Sequence, residues 1–343
     1  MASLGEFEFI DRLLKAQAKE GQPLFHNAAT LGIGDDAALI PPLPPHEQFV
    51  VATDMLVEGR HYFPEVDPRA LGHKVLAVNL SDLAAMGARP VAFTLAAGLA
   101  IIDRPWLESF LQGLFALARQ HECALVGGDT VRVPAGAPAV FSVTVMGAIA
   151  IGSALRRDAA TAGDDLWVSG HLGDPAFAVL HRLTDEKLNF PAPRVALGRA
   201  LCGHAHAAID ISDGLVSEVT HLLNGSSAAL GAVLAAHICV EDLPLGPRIS
   251  RAVAAGELTQ TDARVFAATG GDEYELCFTA PPSARPAITA LSVRLGCPLS
   301  RIGQVRVAAA QQVVWQDSAG HSLPPAEQAR FGSPGFDHFR SAT

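Results

Sequence analysis

Apolar positions along the chain fall into two alternating rhythms, short unbroken runs and steps of three to four residues, punctuated by glycine and proline. Phe49 to Thr53 is short, apolar and β-rich. It follows Pro41, Pro42, Pro44 and Pro45, which form a loop or an extended connector. A buried strand ending at Asp54 is the expectation. Asp67 as N-cap and Pro68 at the first helical position then open a helix from about Arg69 to Met86, and Gly87 closes it. Asn79 and Asp82 share a face of that helix. A second helix begins near Asp103 and Pro105, with Trp106, Phe110, Leu114 and Ala118 stepping along one side as core, and leads into a strand at Ala124 to Val126.

The stretch from Val133 to Leu155 holds no charge and is nominally long enough to span a bilayer. Pro134 and Pro138 break its start, and Phe141, Val143 and Val145 alternate with Ser142 and Thr144, so it reads as a half-buried strand of a soluble sheet. From about Ile151 the pattern restarts, with strands at Leu166 to Ser169, Ala208 to Ile211 and Tyr274 to Thr279 between helical or irregular segments. Two domains are expected, residues 1–150 and 151–343. Gly-Gly-Asp occurs twice, at Gly127–Asp129 and Gly270–Asp272, which is too short to establish duplication.

Composition narrows the class. Apolar residues are 49% of the 343 and charged ones 17%, enough to build a packed core rather than a disordered chain. The formal charge of −10 excludes the electrostatic footprint of a nucleic-acid or anionic-membrane binder. Cys123, Cys202, Cys239, Cys277 and Cys297 are odd in number and form no CxxC pair, which fits a reduced, cytoplasmic setting. Glu6, Glu8 and Asp11 interrupt the apolar start, so no export signal is read there.

Candidate chemistry lies in where the aspartates fall. Asp35 and Asp36 follow Gly32-Ile33-Gly34, Asp54 ends an apolar run, Asp82 interrupts an apolar helix, Asp129 follows Gly127-Gly128, and Asp210 and Asp213 flank Ile211-Ser212 before Gly214. A bare carboxylate at the edge of a core costs several kcal/mol, roughly, unless it is paired or bound to a cation. Lysines are limited to Lys15, Lys19, Lys74 and Lys187, and none lies in a Walker-type loop; protein-kinase signatures are also missing. Hard divalent cations remain, and Mg²⁺ is commonly held by a few carboxylates together with substrate phosphates. A carboxylate cage for metal-bound phosphate follows. Taken singly, an Asp after a glycine is most often a turn or cap residue, and Asp67 and Asp103 belong there. Gly32-Ile33-Gly34 lacks the third glycine of a dinucleotide fingerprint. His204 and His206 are poorly spaced for one helical face and read as solvated or hydrogen-bonded. Recurrence across both halves gives the acidic set its weight.

Read together, Gly32–Ala38 (GIGDDAA), Thr53–Gly59 (TDMLVEG), Lys74–Gly87 (KVLAVNLSDLAAMG), Gly127–Thr130 (GGDT), Asp210–Leu215 (DISDGL) and Gly271–Leu276 (GDEYEL) resemble, in order, the thiamine-monophosphate kinase family. The resemblance runs from about Gly5 to Gly335-Phe336-Asp337-His338-Phe339. It implies a PurM-like fold, that of aminoimidazole ribonucleotide synthetase. That fold has an N-terminal α+β domain, which binds ATP and Mg²⁺ and pairs its sheet with a second subunit in a homodimer, and a C-terminal α/β domain. It implies ATP-dependent phosphorylation of thiamine phosphate to thiamine diphosphate with several Mg²⁺ ions. The family's magnesium positions correspond to Asp36, Thr53, Asp54, Asp82, Asp129, Asp210 and Asp213. Its ATP contacts correspond to Gly128, Asp129, Arg157 and Ser212, and its thiamine-phosphate contacts to His61, Asp272 and Phe336. Ala52 departs from the pattern, since relatives often carry a hydroxyl there; a peripheral metal site is weakened if that hydroxyl is a ligand and unchanged if the main-chain carbonyl is.

Three competitors stay within the superfamily. Selenophosphate synthetase needs a reactive Cys or selenocysteine near the N-terminus, where this chain's first cysteine is Cys123. The hydrogenase-maturation relative needs a C-terminal cysteine, where this chain ends Arg340-Ser341-Ala342-Thr343. Aminoimidazole ribonucleotide synthetase stays open on fold alone. A non-catalytic nucleotide or thiamine-phosphate sensor is disfavoured, because binding alone rarely needs so many carboxylates. No catalytic side-chain base is expected, because a phosphate monoester is already largely dianionic at pH 7.

Overall fold

The computed structural model describes residues 31–33, 35–101, 103–310 and 312–332. The chain divides into two compact units. Among the described residues, the first comprises those up to Leu83, Ala88–Gly152 and Asn189–Val195; the second comprises Ala84–Gly87, Ser153–Leu188 and those from Ala196 to Gly332.

The first unit is a four-stranded sheet in the order β1-β4-β2-β3, formed by β1 (Glu47–Val57), β2 (Arg89–Leu99), β3 (Ala124–Arg132) and β4 (Val140–Ala150). β4 runs antiparallel to β1 and β2, and β2 pairs parallel with β3. Helices α1 (Pro68–Ala85) and α2 (Arg104–Gln120) supply the rest of the core. Asp67 caps α1 as expected, its carboxylate accepting from the Arg69 N–H at 2.9 Å, and Gly87 leaves the helix at φ +75°, which a glycine takes without steric cost. The apolar stripe of α2 is buried through Phe110, Leu114 and Ala118, and Phe110 stacks on Phe141 of β4. Phe141, Val143 and Val145 are fully buried while Ser142 and Thr144 are not, so the charge-free stretch is the sheet strand its alternation predicts. No helix of the described residues is long and apolar enough to cross a membrane.

β1 corrects one expectation. It is neither wholly buried nor finished at Asp54; it runs on to Val57 as an edge strand. Ala52, Asp54 and Leu56 lie opposite Val145, Val143 and Phe141, on the helix-covered face. Phe49, Val51 and Met55 point the other way and are 44%, 61% and 55% exposed. A short apolar run does not reveal that only one of its two faces is covered.

The second unit carries a six-stranded sheet in the order β10-β7-β9-β5-β8-β6, built from β5 (Asp165–Ser169), β6 (Ala207–Asp210), β7 (Leu234–Cys239), β8 (Leu276–Ala280), β9 (Leu299–Val307) and β10 (Val313–Gln316). Only β10 and β7 pair in parallel; the other neighbours are antiparallel. Helices α3 (Leu215–Leu230) and α4 (Gln260–Thr269) contribute Leu215, Val219, Leu222, Ala267 and Ala268 to a core shared with Leu166, Ile209, Cys277 and Trp315. The strand expected from Tyr274 begins only at Leu276, because Asp272 and Tyr274 have φ of +62° and +51°, and left-handed residues cannot continue a regular pleat. His206 is tied to Asp164, its Nδ1 at 2.9 Å from the carboxylate, and all five cysteines are free thiols.

Candidate active site

In the first unit Asp54, Asp82 and Asp129 are carried by regular elements. Asp54 sits on β1 with its backbone N–H donated to the Asn79 side-chain oxygen at 2.9 Å. The Asn79 amide in turn donates to the Val75 carbonyl at 3.0 Å, one turn back on α1. Asn79 is fully buried, and both ends of its amide are used. That orientation leaves the amide no alternative flip: the oxygen must face the N–H of Asp54. Asp82, three residues on, lies on the same face of α1 and is half-buried. Asp129 follows Gly128 on β3 and is exposed, with exposed Ala96 as its partner in β2. Gly128 is required by packing, since a Cβ there would lie 1.9 Å from the Leu95 carbonyl oxygen. Asp36 is also exposed, in the bend that follows Asp35.

Thr53 sits differently from the acid beside it. Its hydroxyl bonds the Thr144 hydroxyl directly across the strand pair, on the sheet face opposite Asp54. Only the main chain of Thr53 can serve a ligand held by the Asp54 carboxylate. The same alternation puts Ala52 on the Asp54 face.

Just past β1 the chain turns back, and His61 folds onto Val57: the His61 N–H donates to the Val57 carbonyl, and the Val57 N–H donates to His61 Nδ1 at 2.9 Å. With Nδ1 accepting, the neutral ring carries its proton on Nε2, which makes that atom a hydrogen-bond donor. The buried Lys74 of α1 reaches the His61 carbonyl at 3.4 Å.

In the second unit the acids sit in turns. Asp210 ends β6 and is buried; Ser212 and Asp213 follow in the turn before α3. Glu218, in the first turn of α3, reaches back to accept from the Ser212 hydroxyl at 3.4 Å and the Asp213 N–H at 3.3 Å. Burial, and then the neighbouring Asp210, push its carboxyl up to about 7, against the pull of the Asp213 N–H and Arg157. Arg157 itself is exposed.

A second turn is bonded to this one through the backbone. The Asp272 N–H donates to the Ser212 carbonyl, the Tyr274 N–H to the Ile211 carbonyl, and the Ile211 N–H to the Glu275 carbonyl, each at 2.8 Å. Gly214 and Gly271 permit the approach, because a Cβ on Gly214 would stand 2.6 Å from the Thr269 carbonyl oxygen at the end of α4, and one on Gly271 2.6 Å from the Ser212 carbonyl oxygen. Beneath lies a buried ionic group. Glu273 accepts from the Gly173 N–H at 2.5 Å and from Lys187 at 2.6 Å; Glu275 accepts from the Ser169 hydroxyl at 2.5 Å and lies 3.5 Å from the same ammonium. Lys187 also donates to the His171 carbonyl. Burial raises the Glu273 carboxyl to about 7, opposed by the Lys187 ammonium.

The structure thus brings Asp54, Asn79 and Asp82 to adjoining positions in one unit, and Asp210, Ser212, Asp213 and Asp272 to adjoining turns in the other. Phe336 lies outside the described residues. Asn79, Glu218, Lys187 and Tyr274 are participants that the motifs did not assign. Asn79 is legible in the sequence as the face-mate of Asp82, though without a role, and Glu218 could have been found as an acid one turn after a glycine. Nothing local marks Lys187 or Tyr274. The donor set is carboxylate, hydroxyl and carbonyl oxygen, which suits a hard cation such as Mg²⁺. Among the described residues, no three His, Cys, Asp or Glu side chains gather as a metal centre. The fit is therefore to carboxylates in ones and twos, completed by phosphate oxygens, rather than to an all-protein cage.

Comparison with known proteins places this arrangement. Residues 34–149 match the family model "AIR synthase related protein, N-terminal domain". The structure of thiamine-monophosphate kinase from Stenotrophomonas maltophilia superimposes with a TM-score of 0.77 at 42% identity, covering 91% of this chain and 97% of that one. AaThiL complexed with AMPPCP and TMP superimposes with a TM-score of 0.70 at 26% identity, covering 98% and 97%. The thiamine-monophosphate kinase of Salmonella typhimurium is 41% identical over 288 residues, 80% of this chain and 83% of that protein. On that breadth of agreement, the chain belongs to the thiamine-monophosphate kinase family.

Proposed function

We propose that the protein transfers the γ-phosphoryl group of ATP directly, in line, to a phosphate oxygen of thiamine phosphate, giving thiamine diphosphate and ADP. Family membership over four-fifths of the chain carries this reading. AMPPCP and TMP, bound by one structural neighbour, are the pair such a reaction calls for, an ATP mimic and the acceptor.

The acceptor needs no base. Its second pKa is near about 6, so it arrives largely dianionic, and the barrier is repulsion between two anions. Catalysis then consists of positioning and charge neutralisation. Arg157, permanently charged and fork-shaped, serves the nucleotide phosphates. The family resemblance assigns nucleotide contacts to the Ser212 hydroxyl and to the backbone at Gly128 as well. His61 offers its Nε2 proton to an anionic oxygen of the acceptor, the tautomer being set by Val57. Asp272 meets the cationic thiamine end, where a carboxylate is a favourable partner, and the family resemblance assigns Phe336 to the same substrate, for which an aromatic ring is also favourable. Asp36, Asp54, Asp82, Asp129, Asp210 and Asp213, with the main chain of Thr53, would hold Mg²⁺ ions, which supply positive charge against the phosphates.

In this reading residues 1–150 form the ATP- and Mg²⁺-binding domain and 151–343 the C-terminal domain of a cytoplasmic homodimer. The exposed apolar row of Phe49, Val51 and Met55 on an edge strand supports pairing through the first sheet. Light scattering should report twice the chain mass. The deciding experiment is ADP release that depends on thiamine phosphate. Rapid quench with ATP alone should yield no labelled protein; a phosphoenzyme would exclude direct transfer.

A further inference from the structure

We infer that Tyr274 is a positioning residue for Asp272: its hydroxyl fixes the carboxylate that meets the thiamine end of the acceptor, and thereby sets affinity for thiamine phosphate but not for ATP. The inference rests on the placement of Asp272 proposed above.

Backbone conformation gives the first reason. Asp272 and Tyr274 are two of only four non-glycine residues with positive φ among those described, and they stand two positions apart. Aspartate tolerates the left-handed region, whereas a bulky aromatic there is a genuine outlier. Such a residue persists where its surroundings over-determine it. They do so here. The Asp272 and Tyr274 N–H groups are both committed to the 211–212 carbonyls, while Glu273 and Glu275 are pulled inward by Gly173, Ser169 and Lys187. Glycine would adopt the same backbone at lower cost, as Gly270 and Gly271 beside it could. What glycine lacks is the side chain.

That side chain reaches the carboxylate two positions back. The Tyr274 hydroxyl donates to Asp272 Oδ1 at 3.1 Å. With Glu273 and Glu275 buried beneath, Asp272 and Tyr274 are the half-buried members of the segment. Whatever rotamer freedom a carboxylate on a turn retains must be lost when a ligand binds. A donor on one oxygen removes the freedom beforehand and turns the carboxylate plane toward its target, which raises affinity by preorganisation. A hydrogen bond to a charged group is among the stronger ones, so its loss should be measurable.

The test is a double-mutant cycle in the full-length protein with Tyr274→Phe, Asp272→Asn and both together. Steady-state kinetics would be run against each substrate, with direct calorimetric binding of thiamine phosphate and thermal melting alongside. Y274F keeps the ring and loses only the hydroxyl. It should raise KM and Kd for thiamine phosphate about tenfold, with kcat, the KM for ATP and the melting temperature unchanged. D272N should weaken thiamine phosphate at least as much. In the D272N background the second change should cost little, because the hydroxyl acts through the charge. Y274F with ordinary affinity for thiamine phosphate overturns the positioning role, as does full additivity of the two changes or a parallel rise in both KM values. D272N with ordinary affinity removes Asp272 from the thiamine end and the inference with it, while thiamine-phosphate-dependent ADP release would still stand by itself.

Discussion

The two units hold their functional acids by opposite means. In the first, Asp54 and Asp82 ride on a strand and a helix whose own hydrogen bonds are regular, and a single buried amide, Asn79, links the Asp54 backbone to the helix. In the second, Asp213 and Asp272 lie in two turns, the first of them entered from Asp210 at the end of β6; the turns hold each other by crossed backbone bonds, the second includes left-handed residues, and beneath them buried Glu273 and Glu275 meet Lys187. Regular elements position a side chain by periodicity at little cost. Turns position it by over-determination, and the excess must come from interactions elsewhere, here charges taken out of water. Substitutions beneath the turns should therefore damage stability first, and substitutions beneath the strand should damage activity first.

The largest expected effect is Lys187→Met. It leaves the fully buried Glu273 and the nearby Glu275 without their cation, and removing one partner of a buried ion pair typically costs about 3–5 kcal/mol. Urea unfolding at pH 7.5 would measure it. The cost should shrink on acidification, because Glu273 can then take up a proton and stay neutral. The unaltered protein, freed of metal by chelation, should show a related slope. Glu273 titrates at about 7 in the folded state against about 4.3 unfolded, so the folded state holds the extra proton between those values. Its contribution is complete below about pH 4.3 and is lost as pH rises through about 7, worth roughly 3 kcal/mol over the window. Glu218, at about 7, acts with the same sign. Glu273→Gln should therefore remove about half of the fall in urea midpoint between pH 4.5 and 7.5, and a double change with Glu218→Gln nearly all of it. An unchanged slope in the double variant would place the titrating groups elsewhere.

The same contrast explains how far the sequence can be read. Helices α1 and α2, the Asp67 cap, the Gly87 stop and the alternating strand at Phe141–Val145 follow from periodicity and punctuation, so Asp82 and its face-mate Asn79 are visible in advance. What is not visible is exposure. A five-residue apolar run looks the same on an edge strand with one open face as in a buried one, and so β1 runs longer and lies more open than its pattern suggests. In the second unit the turn motifs DISDGL and GDEYEL are recognisable as strings. Their mutual bonding is set by tertiary contact between segments about 60 residues apart, and the cation beneath them, Lys187, comes from a third segment. The left-handed Tyr274 runs against local propensity, as residues at functional sites often do.

A smaller structural effect with a larger functional one is expected for Asn79→Ala. The Asp54 N–H loses its partner, and about 1–3 kcal/mol of stability goes with it. Because β1 is an edge strand, water can replace part of that bond, which places the loss at the lower end. The strand carrying Asp54 is then free to shift by a few tenths of an ångström relative to α1, and kcat/KM should fall by more than the stability change alone explains, about tenfold or beyond. Parallel measurement of urea unfolding and turnover tests this. A stability loss without a rate loss would remove Asn79 from the site.

The smallest effect is expected at Thr53. Its hydroxyl meets Thr144 on the sheet face away from Asp54, so Thr53→Val removes one cross-strand hydrogen bond between neutral groups, worth about 0.5–1 kcal/mol, and keeps the β-branched shape that suits a strand. The main-chain oxygen, which is all that position 53 can offer to the Asp54 face, is untouched. Turnover, and its dependence on Mg²⁺ concentration, should stay within about twofold of the unaltered protein. Ala52, by contrast, is on the Asp54 face, so Ala52→Ser would place a new oxygen beside that carboxylate and should lower the Mg²⁺ concentration needed for half-maximal rate. A steep loss of Mg²⁺ response in T53V would instead mean that the Thr53 side chain turns over during catalysis, and that the regular strand is less fixed than the strained turns of the second unit.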